Sequence, residues 1–174
     1  MQHSGPWMGT CATRAGALLS LFAFLGIAPI GASATSHDTP TLDELIAESD
    51  LIVHATVVTT SVHSQGPNGQ PGIHTRVDLE VHETLKGTPR STLEVWVQGG
   101  RMGGRMRVVV GQARFEPLEE AVLFLFRDPN GAYWPAGMGA GKWSVSHEAG
   151  VTTARSGTEA LAIDALRGRI RGAG

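Results

Sequence analysis

At 174 residues and 18.3 kDa, the chain is long enough for one domain with a sizeable core. A formal charge of -2 and a pI near 6.4 give no electrostatic case for nucleic acid or an anionic membrane. Only 17% of the residues are charged and 23 are glycine, which excludes a disordered polyelectrolyte and fits a turn-rich β protein.

Residues 1–34 read as an export signal. Arg14 supplies a positive start, Ala15 to Ile30 is uncharged and largely apolar, and Ala32-Ser33-Ala34 fits the small-x-small cleavage pattern. Cleavage there predicts a mature chain beginning at Thr35, with a flexible lead over 35–40. It also predicts a periplasmic or extracellular location, with no membrane attachment once the signal is gone. Cys11, the single cysteine, precedes the apolar run and leaves with it, so a disulfide-free mature domain is expected.

Thr41-Leu42-Asp43-Glu44 is a capping box, and Leu42, Leu45 and Ile46 share a face of the short helix that follows. This helix is expected across one end of a sheet. Leu51 to Thr59 is β-branched and almost continuously apolar, a strand covered on both faces. Ser61 to Gly72 reads as a polar, broken loop leading to Thr75–Gly87. There Val77, Leu79 and Val81 alternate with Arg76, Asp78, Glu80 and His82, the pattern of a strand with one buried and one wet face.

Ser91 to Gln98 alternates again, and Gly99 to Gly104 makes a mobile turn before a returning strand over Arg107-Val108-Val109-Val110. Ala121 to Phe126 is a buried strand, and Asp128-Pro129-Asn130-Gly131 a tight turn into Tyr133-Trp134. Lys142 to Ser146 closes the strand set. Ser156-Gly157-Thr158-Glu159 then caps a C-terminal helix over 156–174, with Ala162, Ile163, Leu166 and Ile170 on one face. Arg167, Arg169 and Arg171 complement its C-terminal dipole. The expected fold is mainly β: six or seven strands over 41–155 in a small barrel, with a helix at each end.

Candidate chemistry is sparse. His54, His63, His74, His82 and His147 show no paired metal-ligand spacing, and His74 and His82, on one strand face, lie roughly 26 Å apart. His63 and His74 flank the loop and can approach each other. Cleavage after Ala34 exposes Thr35-Ser36-His37, whose amine, amides and imidazole form a nitrogen set suited to Cu(II) or Ni(II). Gly99 to Gly104 with Arg101, Arg105 and Arg107 offers backbone amides and guanidiniums to an anion. Gly139-Ala140-Gly141-Lys142-Trp143-Ser144 fails as a P-loop, with Ala136 where the first glycine belongs and Trp143 after the lysine. Glu119 and Glu120 are adjacent, so a strand sends them to opposite faces. Most aromatics read as core; Trp96, on the face opposite Val95 and Val97, is either a contact point or covered by a terminal helix. There is no G-x-S-x-G and no cysteine in the mature chain to act as a nucleophile.

The run Ser49-Asp50-Leu51-Ile52-Val53, the V-x-E-x-L-K-G of Val81 to Gly87, and Gly99-Gly100 and Gly111 carry a resemblance. Phe115-x-x-x-Glu119-Glu120-Ala121-Val122-Leu123-Phe124-Leu125 and Gly141-Lys142-Trp143 complete it, so it covers most of Thr41 to Ser146. The chain resembles a group of exported bacterial proteins of unassigned activity, some linked to matrixin-type metalloproteases. More distantly it is similar to the netrin-like domain, the OB-type barrel of tissue inhibitors of metalloproteinases. Leu118 departs from the group, which usually has glycine there. The inhibitors act through an N-terminal cysteine that the mature chain lacks, so that mechanism does not carry over. The resemblance implies an OB/netrin-like barrel and a module that binds an exported protein or protease; with no catalytic constellation in the sequence, a non-enzymatic, cofactor-free monomer is expected. A periplasmic small-ligand or metal binder and an uncharacterised hydrolase are the alternatives.

Overall fold

The computed structural model describes residues 39–173, and the signal, its cleavage site and Thr35-Ser36-His37 lie outside them. The chain is mainly β. In order it forms α1 (Leu42–Glu48), β1 (Leu51–Gln65), β2 (Pro71–Lys86), β3 (Thr92–Gln98), β4 (Gly100–Met102), β5 (Arg105–Arg107), β6 (Glu120–Arg127), β7 (Tyr133–Pro135), β8 (Lys142–Glu148), β9 (Val151–Ser156), β10 (Glu159–Ala162) and α2 (Ile163–Gly172). Eight strands make one sheet in the order β1-β2-β3-β7-β6-β8-β9-β10, and β4 and β5 form a separate pair. Because β6 also pairs with β1, the ladder β1-β2-β3-β7-β6 returns to its start.

The alternation within the strands divides the apolar residues between two cores. Inside the ring lie Leu51, Val53, Ala55 and Val57 of β1, with Val77, Leu79, Val95 and Leu123 facing them. On the outer side of β1, β6 and β8, Ile52, Val122, Phe124 and Trp143 meet Leu42, Leu45 and Ile46 of α1 and Ile163, Leu166 and Ile170 of α2. β1 is therefore covered on both faces, as its continuous apolar run requires. Helix α1 is too short to persist alone and depends on this burial together with its cap. The Thr41 N–H donates to Glu44 Oε2 at 2.8 Å, and the Glu44 N–H donates to Thr41 Oγ1 at 3.3 Å. Both helices lie on the outer core rather than at the ends of a sheet.

Several local expectations give way to long-range pairing. Ser61 to Gly72 is mostly not a loop: β1 and β2 stay paired through it as a long ribbon, with His63 opposite His74. Only the turn around Pro67–Gly69 remains, with Asn68 and Gly69 at φ 57 and 78. Val108 to Val110 does not form a strand, since no segment among the described residues offers a ladder to it. Lys142 to Ser146 does not end the sheet, because β9 and β10 add two strands. Ser156 to Glu159 is the β9–β10 connection rather than a helix cap; Gly157, at φ 55, turns the chain, and α2 begins at Ile163. Capping residues are also turn residues, so the same local chemistry serves either structure. Phe126, expected in the core with the other aromatics, is partly exposed.

Candidate functional site

The sheet sends β4 and β5 away from the ring as a separate hairpin. Glycine makes that departure possible: a Cβ on Gly99 would lie 2.8 Å from the Arg107 carbonyl oxygen, and one on Gly100 2.8 Å from Val62 Cγ1. At the tip, Gly103 and Gly104 have φ of 53 and 76, the two positive values of a type I′ turn. The expected mobile turn is thus a tight hairpin end, with Gly100 opposite Arg107, Arg101 opposite Met106 and Met102 opposite Arg105.

Arg101, Arg105 and Arg107 come together on this hairpin, and all three are exposed. Their hydrogen bonds go to neutral groups: Arg101 Nη2 to Met106 Sδ at 3.6 Å and Arg107 Nη2 to Gln98 Oε1 at 3.2 Å. Among the described residues, no carboxylate lies within ion-pair distance of any of the three. The contrast with α2 is direct, because Arg167 and Arg171 hold Glu83 and Arg169 holds Asp43 at 2.6 Å. Those helix arginines clamp α2 to β2 and α1 as well as facing the helix dipole.

Apolar surface adjoins the hairpin cations. Met106 is 60% exposed, Val108 62% and Val110 90%. Between the hairpin and the ring runs a cleft of about 570 Å³, lined by residues including Val62, Val97, Arg101, Arg107, Val108 and Phe115. Exposed apolar side chains beside unpaired cations are what a docking face presents before it meets its partner.

Trp96, read from the sequence as either a contact point or a covered residue, is covered. It is only 8% exposed and lies outside the cleft, its indole tilted against the His63 ring at 5.4 Å and donating from Nε1 to Glu94 at 2.7 Å. The β1–β2 ribbon, not a terminal helix, brings this cover. His74 faces Trp134 instead, with ring centres 5.9 Å apart, so the two ladder-paired histidines turn to different tryptophans.

A second cluster was not visible in any spacing. Glu120 accepts from His54 Nε2 at 2.6 Å and His147 Nε2 at 2.8 Å, one imidazole to each oxygen. Thr152 Oγ1 lies 3.0 Å from His147 Nδ1. His82 is the extra residue of a bulge between β1 and β2, and its ring stands 5.5 Å from that of His54 while bonding Thr56 at 2.7 Å. Burial tends to raise the Glu120 carboxyl, but hydrogen bonds from His147 and His54 outweigh it and hold the group below its ordinary 4.5. Glu119 points the other way, as adjacent residues should, to Lys142 at 2.6 Å and Ser144 at 2.9 Å. It too sits below 4.5, against a burial effect that would raise it. The arrangement ties β1, β6, β8 and β9 together, with both carboxylate oxygens satisfied. Among the described residues, no group of three or more His, Cys, Asp or Glu is placed to hold a metal ion. No helix there is long and apolar enough to cross a membrane.

No protein-family model matches the chain, and no curated protein matches it.

Proposed function

We propose that this chain is an exported, non-enzymatic protein-binding module on an OB-type barrel, and that its binding face is the β4–β5 hairpin. One observation carries the reading: three guanidiniums without a carboxylate partner among the described residues stand beside exposed Met106, Val108 and Val110. A cationic, apolar projection of this kind is left unsatisfied by its own fold. The five-strand ring supports the OB-type assignment, since that fold is a five-stranded Greek-key barrel. Export rests on the leader-like residues 1–34, and association with an exported protease rests on the resemblance alone.

The test is affinity capture from the exported fraction of the source organism, using the full chain carrying a C-terminal tag. A companion bait carries Arg101→Glu, Arg105→Glu and Arg107→Glu together. A partner that saturates the first bait and is lost from the second is the expected result. A partner held equally by both would move the binding face elsewhere, and a folded bait that retains nothing would reject the module.

A further inference from the structure

Resting on that reading, we infer that the hairpin's partner is an extended peptide segment with alternating acidic and apolar residues, which pairs with the free edge of β5. The backbone supplies the first part of the argument. Residues flanking a two-residue hairpin turn exchange both of their hydrogen bonds, so Met102 pairs with Arg105 in this way and Gly100 with Arg107. Met106 lies between those pairs and turns its N–H and C=O away from β4. Among the described residues, β5 has no other strand neighbour, so this donor and acceptor form an open sheet edge. Extended segments add to such edges through main-chain hydrogen bonds.

The side chains supply the second part. Directly opposed residues on antiparallel strands share a face. A strand laid along β5 places its residues against Arg105 and Arg107 on one face and against Met106 on the other, next to Val108. Carboxylates satisfy the first set and aliphatic side chains the second. Arg101 lies across from Met106 and so on the apolar face, which leaves Arg105 and Arg107 as the cationic row. A polyphosphate backbone would meet the guanidiniums but leave Met106, Val108 and Val110 unmatched, and a lipid surface would offer no main-chain partner to the outward N–H and C=O of Met106. That mixture of row chemistry favours a peptide.

The experiment titrates the full chain, purified after export, into a fluorescein-labelled octapeptide of alternating Glu and Val, and into its Lys-for-Glu counterpart. The expected result is saturable binding of the acidic peptide alone, weakening with added salt and at least tenfold weaker in Arg105→Glu/Arg107→Glu. Met106→Pro tests the strand pairing separately. Its N–H faces away from β4, so proline keeps the hairpin's own ladder bonds and removes the outward donor together with the Met106 side chain, for which Met106→Val is the control. It should weaken binding at least fivefold, whereas Met106→Val should stay within about twofold of wild type.

Equal binding of the Lys peptide, or no binding of either by folded protein, overturns the inference. So does tight binding of heparin or of vesicles with 30 mol% phosphatidylserine when the acidic peptide does not bind. A Met106→Pro variant that binds normally rejects the edge pairing. If capture finds a hairpin-dependent protein that the acidic peptide does not displace, this inference fails while the binding-module reading stands.

Discussion

Replacing Leu118 with glycine should stabilise the protein, although the substitution removes a large apolar side chain. Leu118 has φ 69, in the left-handed region that costs a residue with a Cβ roughly 1–2 kcal/mol. The turn holds it there: its N–H donates to the Val57 carbonyl at 2.8 Å, Val57 N–H donates to the Glu119 carbonyl at 2.8 Å, and Glu119 N–H donates to that of Glu116 at 3.1 Å. The side chain itself is 84% exposed, so truncating it forfeits almost no burial. Glycine relieves the strain but adds about 0.5–1 kcal/mol of freedom to the unfolded chain. The net gain is about 0.5–1 kcal/mol. With a urea slope of about 2 kcal/mol per M, the midpoint of unfolding should rise by about 0.3–0.5 M. Leu118→Ala is the control, since it keeps the Cβ and should gain nothing. A midpoint that falls in Leu118→Gly, or that rises equally in Leu118→Ala, would refute the reasoning.

Three further expectations concern the fold and its ionised groups. Glu120 ionises below its ordinary value when folded, so its stabilising effect is complete above about pH 4.5 and is lost as pH falls through the lower folded value. Glu120→Gln should therefore flatten the acid limb of a stability-versus-pH curve and cost about 1–2 kcal/mol at pH 7, read by urea unfolding; an unchanged acid limb would count against the His54–Glu120–His147 network. Gly141→Ala should destabilise by about 3 kcal/mol, because the new Cβ would sit 2.2 Å from the Ala136 carbonyl oxygen; wild-type stability of this variant would show that the turn is looser than described. Trp143 is fully buried and its Nε1 lacks a hydrogen-bond partner among the described residues, so Trp143→Phe should cost much less than the about 3–5 kcal/mol of Trp143→Ala in thermal or urea unfolding, and equal losses would contradict this.

The sequence by itself determined what depends on neighbours along the chain. Val77, Leu79 and Val81 alternate with polar residues, so Thr75 to Gly87 could only be a half-covered strand. Thr41 and Glu44 carry both halves of a capping box, and Asp128 closes its turn by accepting from Gly131 through its carbonyl and from Asn130 through its side chain. The arginines of the β4–β5 hairpin were legible as a group because seven consecutive residues contain all three. Tertiary structure decided everything that needs a second segment. Val108 to Val110 is as β-prone as any stretch here, yet it remains outside the ladder because strands exist only in pairs. Ser156 to Glu159 suits a helix cap or a hairpin turn, and β9 beside it settled the choice. His54, His82, Glu120 and His147 converge from four strands, and a bulge re-aims His82; no spacing records that. Periodicity and capping are short-range properties, whereas strand pairing and side-chain convergence follow from which distant segments share a core.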